Sequence, residues 1–411
     1  MNKKYAFILV FSLNLSAKTA NAATLGSVFS QRNETIFRQV FGWAALSMVV
    51  GFLVFGIFIF YWNLRDKAKK MANLLASAAQ NNHIWGIEGL KSRIEEVFCR
   101  YQSDWSKKNL DSMKNYVTPS FLLKNSLLLD VLTKMGRRSE LGSGKISKIA
   151  FEKIVMDKGK EEFVVRLNYD ASSSLTKTSQ DKLLSGGYPH NEFWCFKLVG
   201  NEWFLDGFWP AVEFFLQEIS NRKIFDFATK QGFPYVPAAS FLTLPQVGHI
   251  FGGQHPWAGR LTSSMLVYDY VIGQKDGKTF EFYRHYTKSG KSTITYTVGQ
   301  MILPKEYKRI FVHPHDSLLK LPDLVRIETG SNEFDQRFDV WVNPDDQVHS
   351  LELLTPKLMA ELCGQSLDVA LEVIENYLFV YVCDNVYLGD KQLDMDGLLC
   401  ILLDSYKEIK N

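Results

Sequence analysis

The sequence predicts an α+β protein: one N-terminal transmembrane helix, then a helix-covered antiparallel sheet, then a second, β-rich α+β domain. Three observations carry this. Residues 39–64 contain no charged side chain. Apolar residues then recur at helical spacing as far as Met135. Beyond that point the period falls to two, with Gly-containing turns between the apolar runs. Helices followed by antiparallel strands define the α+β layer class.

The membrane end comes first. Lys3 and Lys4 precede a short apolar run, Tyr5 to Leu15, and Ala20-Asn21-Ala22 fits a peptidase cut before Ala23. Residues 1–22 are therefore expected to be a signal peptide and 23–39 a short exported tail. Residues 40–62 are long enough to cross about 30 Å of hydrocarbon. Trp43, Tyr61 and Trp62 lie near the ends of that segment, where amphipathic rings favour the interface. Arg32 and Arg38 precede the span, whereas Arg65, Lys67, Lys69 and Lys70 follow it. The excess of cations on the C-terminal side predicts a single-pass membrane protein with its C-terminal domains in the cytoplasm. Residues 63–84 read as a juxtamembrane linker.

Composition excludes several classes. The chain has 411 residues, 46% hydrophobic and 14% aromatic, which rules out a disordered or collagen-like polymer. Lys plus Arg is 47 against 44 Asp plus Glu, a net charge of +3, so no bulk field points to nucleic acid. Cys99, Cys195, Cys363, Cys383 and Cys400 are scattered with no Cys-x-x-Cys pair. Neither a disulfide framework nor a thiolate zinc site is indicated, and a reducing compartment fits.

The first soluble domain opens with an amphipathic helix carrying Leu90, Ile94, Val97, Phe98, Tyr101 and Trp105 on one face. Cys99 is expected to be buried on that helix. A short helix follows over Leu110 to Val117. Thr118-Pro119 is a cap and a first-turn proline, opening a helix that ends near Gly136. Ile146 to Val155 and Phe163 to Tyr169 read as strands, with Lys158-Gly159-Lys160 between them. Residues 171–190, rich in Ser, Thr and Gly, read as a loop. Phe193 to Val199 and Trp203 to Phe208 form a hairpin around Gly200-Asn201.

The stretch "IEGLKSRIEEVFCRYQSDWSKKNLDSMKNYVTPSFL", followed by "EFWCFKLVGNEWFLDGFWP", resembles the Tim-forty-four-like domain family. That family includes the C-terminal domain of the mitochondrial import-motor anchor and bacterial membrane members. The matching residues are Trp105, Leu110, Tyr116 and Thr118-Pro119, then Trp194, Phe196, Gly200, Trp203 and Leu205. The resemblance covers about residues 85–215 and implies a cone-shaped, curved antiparallel sheet under helices, with an apolar concavity. It implies membrane docking, lipid contact or protein interaction rather than catalysis. The domain is taken as 85–228.

The remaining residues, 229–411, read as a second α+β domain. A helix over Ala211 to Ala228 leads to an irregular stretch at Pro234, Pro237 and Pro245. Ser264 to Gly273, Thr279 to Thr287 and Ser292 to Leu303 read as a meander turning at Asp276-Gly277 and Ser289-Gly290. Strands are expected at Arg309 to Val312, Leu324 to Ile327, Phe338 to Val342 and Tyr377 to Cys383. Helices are expected from Thr355-Pro356 and from about Asp394. "LVYDYVIGQKDGKTFEFYRHYT", "TVGQMILP" and "RIETGSNEFDQRFDVWVNPDDQVHSLELLTPKLMAEL" resemble a bacterial membrane-associated domain of unknown function, which implies architecture and no settled activity.

No catalytic motif is present, and no cofactor is expected. His313-Pro314-His315-Asp316 offers part of a metal set, with no further ligand apparent. Asp394 and Asp396 imitate a fragment of a calcium loop, and a solvated helix start is the simpler reading. Tyr169, Asp170 and His190 would serve an enzyme if they met at the mouth of the concavity. The aromatic set Trp194, Phe196, Trp203, Phe208 and Trp209 is the candidate pocket or partner-binding surface, against plain core packing between sheet and helices. The sequence thus predicts a membrane-anchored, non-catalytic cytoplasmic binding or scaffold protein, with bilayer lipid and a protein as partners. A membrane-tethered enzyme using the conical pocket is the alternative, and an envelope-facing structural protein of reversed topology is a third.

Overall fold

The computed structural model describes residues 65–142, 144–177, 182–210, 222–239, 267–289, 292–315, 323–347, 353–383 and 393–410, with isolated positions between them. Residues 1–72 form one unit and Asn73–Asn411 a second. In the first, the expected signal peptide, exported tail and most of the span lie outside the described residues. Gly51, Phe55, Ile59 and Trp62 within the span are helical. No helix among the described residues is long and apolar enough to cross a membrane. Helix α1 (65–81) carries the basic cluster at its start.

The second unit is built on two antiparallel sheets. Leu90, Ile94, Val97, Phe98, Tyr101 and Trp105 all face inward from α2 (Ile87–Lys107). Their spacing of three and four keeps them on one stripe. Cys99, one position past Phe98, is turned about 100° away and is exposed, which corrects the expectation of burial. Lys108 ends α2 in the left-handed conformation, φ 55°. After α3 (Leu110–Met113), Thr118 caps α4 (Pro119–Lys134), its hydroxyl accepting from the Phe121 N–H, with Pro119 in the first turn.

The first sheet comprises β1 (Arg137–Leu141), β2 (Lys145–Val155), β3 (Glu162–Lys177), β4 (Lys182–Val199) and β5 (Glu202–Pro210). Strands β1 and β2 follow one another along one side of β3, and β4 then β5 lie on the other. The supposed loop at 171–190 is mostly strand. The ladder between β3 and β4 continues past Ala171↔Tyr188 to Leu175↔Leu184. Ser, Thr and Gly lack the apolar alternation of a half-buried strand, and only pairing with a partner strand makes them one. Strand β1, charged and at an edge, was not expected for the same reason. Gly200, φ 63°, turns the β4–β5 hairpin where the sequence places it.

The second sheet runs β10 (Val325–Ile327), β11 (Phe338–Val342), β9 (Ser292–Pro314), β8 (Lys278–Ser289), β7 (Val267–Lys275), β6 (Tyr235–Ala239). Strand β12 (Val369–Cys383) pairs along the opposite side of β9. The strands expected at Ser292 to Leu303 and Arg309 to Val312 are one strand, which continues through exposed Pro304. Proline lacks a donor and is tolerated at such an irregularity. Edge strand β6 likewise holds Pro237 inside the stretch expected to be irregular. Asp276 (φ 54°) and Gly277 (φ 72°) form the expected tight turn between β7 and β8.

One face of this sheet is aliphatic and phenylalanine-rich. It is covered by α5 (Arg222–Gln231), α7 (Pro356–Gly364) and α8 (Met395–Lys410) through Ile224, Phe227, Leu358, Leu362, Leu398 and Leu402. Short α6 (Asn332–Arg337) adds Phe334 to the same core. The other face bears Tyr270, Tyr283, Phe311, Tyr377, Phe379 and Tyr381. It receives Leu127, Val131 and Met135 of the α4 segment, whereas Phe121, Leu129 and Leu132 enter the core of the first sheet. Helix α4 is therefore apolar on two sides and joins both sheets. Each fully buried leucine or valine contributes about 1.5–3 kcal/mol. The Thr279 hydroxyl adds a bond across the junction, donating to Asp130 at 2.6 Å.

Candidate binding site on the first sheet

Alternation along β4 sends Glu192, Trp194 and Phe196 to the helix-covered side and Phe193 and Cys195 to the other. The register pairs Trp194 with Phe208 and Phe193 with Trp209. Four of the five candidate aromatics, Trp194, Phe196, Trp203 and Phe208, therefore share one face with α2 and α4, and Trp209 does not. Trp194, Phe196 and Trp203 are 2%, 0% and 5% exposed, and Phe208 and Trp209 are half-buried.

The four stack into a continuous aromatic core. Trp203 meets Trp85 edge-on at 4.8 Å and Phe163 at 4.7 Å. Phe163 stacks on Phe196 at 4.9 Å, and Trp194 on Phe208 at 5.1 Å. Tyr101 of α2 closes the other end against Phe208 at 5.3 Å and Trp194 at 5.9 Å. Offset and edge-to-face arrangements at these separations are favourable beyond area burial. The faces of these rings are turned to one another, and they act first as packing. Trp209 lies over Gly207 on the opposite face, beside Cys195.

The polar end of this core is a buried carboxylate that sequence reasoning missed. The Trp194 Nε1–H donates to Glu192 Oε2 at 2.9 Å. The Tyr169 hydroxyl donates to the same carboxylate. His190 Nδ1 lies 3.9 Å from Glu192 Oε1, and the His190 ring stacks on Tyr169 at 4.8 Å and 8°. Burial pushes the Glu192 carboxyl above its ordinary value of 4.5, and the bonds from Trp194 and Tyr169 oppose that rise. Burial also raises the Tyr169 and Tyr101 phenols. Of the expected trio, the structure brings Tyr169 and His190 together as cross-strand partners. Asp170 pairs with Pro189 and is exposed on the other side. The signal that would have found Glu192 is the alternation that placed Trp194 and Phe196.

The other candidates separate. His313 Nδ1 bonds the Pro314 carbonyl at 2.7 Å, while His315 Nδ1 bonds Asp339 at 3.0 Å. Asp316 lies outside the described residues. Asp394 accepts the Gly397 N–H at 2.9 Å at the start of α8, and Asp396 pairs with Lys230. Among the described residues no group of three or more His, Cys, Asp or Glu side chains is arranged to hold a metal ion.

No protein-family model matches the chain, and no curated protein matches it. Among solved structures it is similar to the mycobacterial trehalose monomycolate transport factor A, TtfA. Identity is 11% and TM-score 0.32, over 46% of this chain and 93% of that one. It is also similar to the intermembrane space region of the chloroplast protein ARC6, at 10% identity and TM-score 0.24, over 28% of this chain and 92% of that one. Neither likeness is close enough to carry a functional inference.

Proposed function

We propose that this chain is a membrane-anchored, non-catalytic binding or scaffold protein of the bacterial inner membrane, with the unit from Asn73 onward in the cytoplasm. The charge-free segment 39–64, followed by Arg65, Lys67, Lys69 and Lys70, carries the reading. A single span holds its cargo at high local concentration beside the bilayer. The attached unit engages lipid or a protein partner through apolar surface, and Leu123, Val199 and Phe225 are large apolar side chains exposed on it. The Tim-forty-four-like resemblance supports the same reading for residues 85–228.

Cross-linking of the full chain in native membranes, with lipid analysis of the purified protein, tests it. The expected result is cross-links to one recurrent partner mapping to residues 73–411, or a lipid retained in fixed proportion. Recovery of neither contradicts the proposal. The grouping of Tyr169, His190 and Glu192 favours a second reading, a membrane-tethered enzyme. Turnover of a substrate by the purified chain, abolished in His190→Gln, would replace the first reading with it.

A further inference from the structure

Strand β2 leaves one edge of the first sheet open. Among the described residues it pairs with β3 alone, and the other side of β3 is taken by β4. It runs for 11 residues, and every one of them is exposed or half-buried. Backbone N–H and C=O groups point alternately to the two sides of a strand, so β2 presents a row of them away from β3.

The two faces of β2 differ. Ile146, Ile149, Phe151 and Ile154 pack half-buried at the rim of the helix-covered core. Their spacing of three, two and three would scatter them over both faces of a regular strand. Two register shifts, after Ile146 and after Phe151, absorb Ser147 and Glu152 as extra residues and bring all four to one side. Their cross-strand partners Tyr169, Leu167, Val165 and Phe163 all belong to that core. The other face carries exposed Lys145, Lys148 and Lys153, opposite Asp170, Asn168 and Val164. Lys153 is paired with Glu162 at 2.6 Å. Among the described residues no carboxylate pairs with Lys145 or Lys148. The stretch from Lys145 to Lys160 holds five lysines against two acids, Glu152 and Asp157.

This pattern selects the occupant. A second copy of β2 would set lysines against lysines, and like charge at an edge opposes such pairing. An acyl chain would cover the apolar rim and leave the backbone groups and the lysines unmatched. We infer that β2 is a docking edge for an extended segment of a partner protein in which apolar and acidic residues alternate. The segment adds to the sheet as a further strand, its backbone bonding to the open side of β2. Its apolar residues extend the rim formed by Ile146, Ile149, Phe151 and Ile154, and its carboxylates meet Lys145 and Lys148 on the other face. The inference rests on the reading of the chain as a binding protein and supplies the chemistry of the partner.

Fluorescence anisotropy with the purified full chain tests it, using three labelled peptides of about eight residues. One alternates Val and Glu, the second has Lys in place of Glu, and the third has the same composition as the first with its Glu grouped at one end. The alternating acidic peptide is expected to bind about tenfold more tightly than either of the others. Lys145→Gln combined with Lys148→Gln is expected to weaken it about fivefold, the loss of two exposed ion pairs. Hydrogen exchange is expected to slow at the amides of residues 145–155 in the complex. Equal binding of the three peptides, or an unchanged affinity in the double variant, overturns the proposal. So does binding of phosphatidylglycerol vesicles, lost in the double variant, without binding of the alternating peptide, which would assign the edge to lipid. Peptide binding that slows exchange only at another surface also overturns it and leaves the broader reading standing.

Discussion

Trp194 and Glu192 lie two residues apart on β4 and face the same way, and the indole N–H donates to the carboxylate at 2.9 Å. A carboxyl group thus sits inside an aromatic core, with Tyr169 as a second donor and His190 at its edge. Burial outweighs the two bonds in setting its titration, so the protonated form is the one the fold favours.

That preference fixes a sign. The folded Glu192 carboxyl titrates above its ordinary 4.5, so the folded state holds more protons than the unfolded chain between the two values. The stabilisation is complete below 4.5 and is lost as pH rises through the folded value. Across that window stability falls by up to about 1.4 kcal/mol per pH unit. Glu192→Gln, which retains an acceptor for Trp194, is expected to flatten this part of the profile and to raise the melting temperature at pH 8 relative to the parent chain. Thermal melts from pH 4 to 8 measure it, and an unchanged profile would show that Glu192 does not titrate in the fold.

Trp203 and Trp209 provide a paired test of which aromatics form the core. Trp203 is 5% exposed, wedged between Trp85 and Phe163, and its Nε1–H donates to the Ile84 carbonyl at 3.2 Å. Trp203→Ala is expected to cost about 3–5 kcal/mol. Half-buried Trp209, on the opposite face, is expected to cost no more than about half of that on the same scale. Urea denaturation midpoints compare the two directly, and equal losses would contradict the assignment of faces.

Arg337 closes the end of α7. Its guanidinium donates to the carbonyls of Cys363, Gln365 (2.9 Å) and Leu367 (3.3 Å), and pairs with Asp368 at 3.1 Å. Arg337→Ala leaves these acceptors unmatched and is expected to cost about 2–3 kcal/mol. Arg337→Lys is expected to recover less than half, because an ammonium cannot fork across several carbonyls. Hydrogen exchange of the α7 amides provides the local readout, with faster exchange expected in both variants.

The proposed orientation rests on the cations that follow residues 40–62. A fluorescent-protein fusion at the C-terminus of the full chain is expected to fluoresce in a bacterial host, while an alkaline phosphatase fusion at the same point is expected to be inactive. The opposite pair of results would place the two sheets outside the cytoplasm.

Local signals made part of this fold legible. The stripe from Leu90 to Trp105, the Thr118-Pro119 cap, and the turns at Gly200 and at Asp276-Gly277 are each decided within a few residues, and the structure has them where the sequence places them. What depended on distant partners was not legible. The described parts of the polar stretch from Ala171 to His190 become strand through pairing with each other and, at Ser173 to Lys177, with β1. The bend that brings Phe311 to Tyr381 arises from unequal strand lengths around Glu375. In the candidate site, alternation separates Trp209 from Trp194 and Phe208. Glu192 was passed over because a lone acid ahead of an aromatic run resembles a strand edge until its donors are seen.

Anchoring by residues 40–62 is the central claim, and flotation of the full chain after alkaline carbonate extraction tests it most directly. The account predicts that the intact polypeptide stays with the floating membranes and that a chain lacking residues 40–62 does not. Release of the intact chain into the soluble fraction would contradict it.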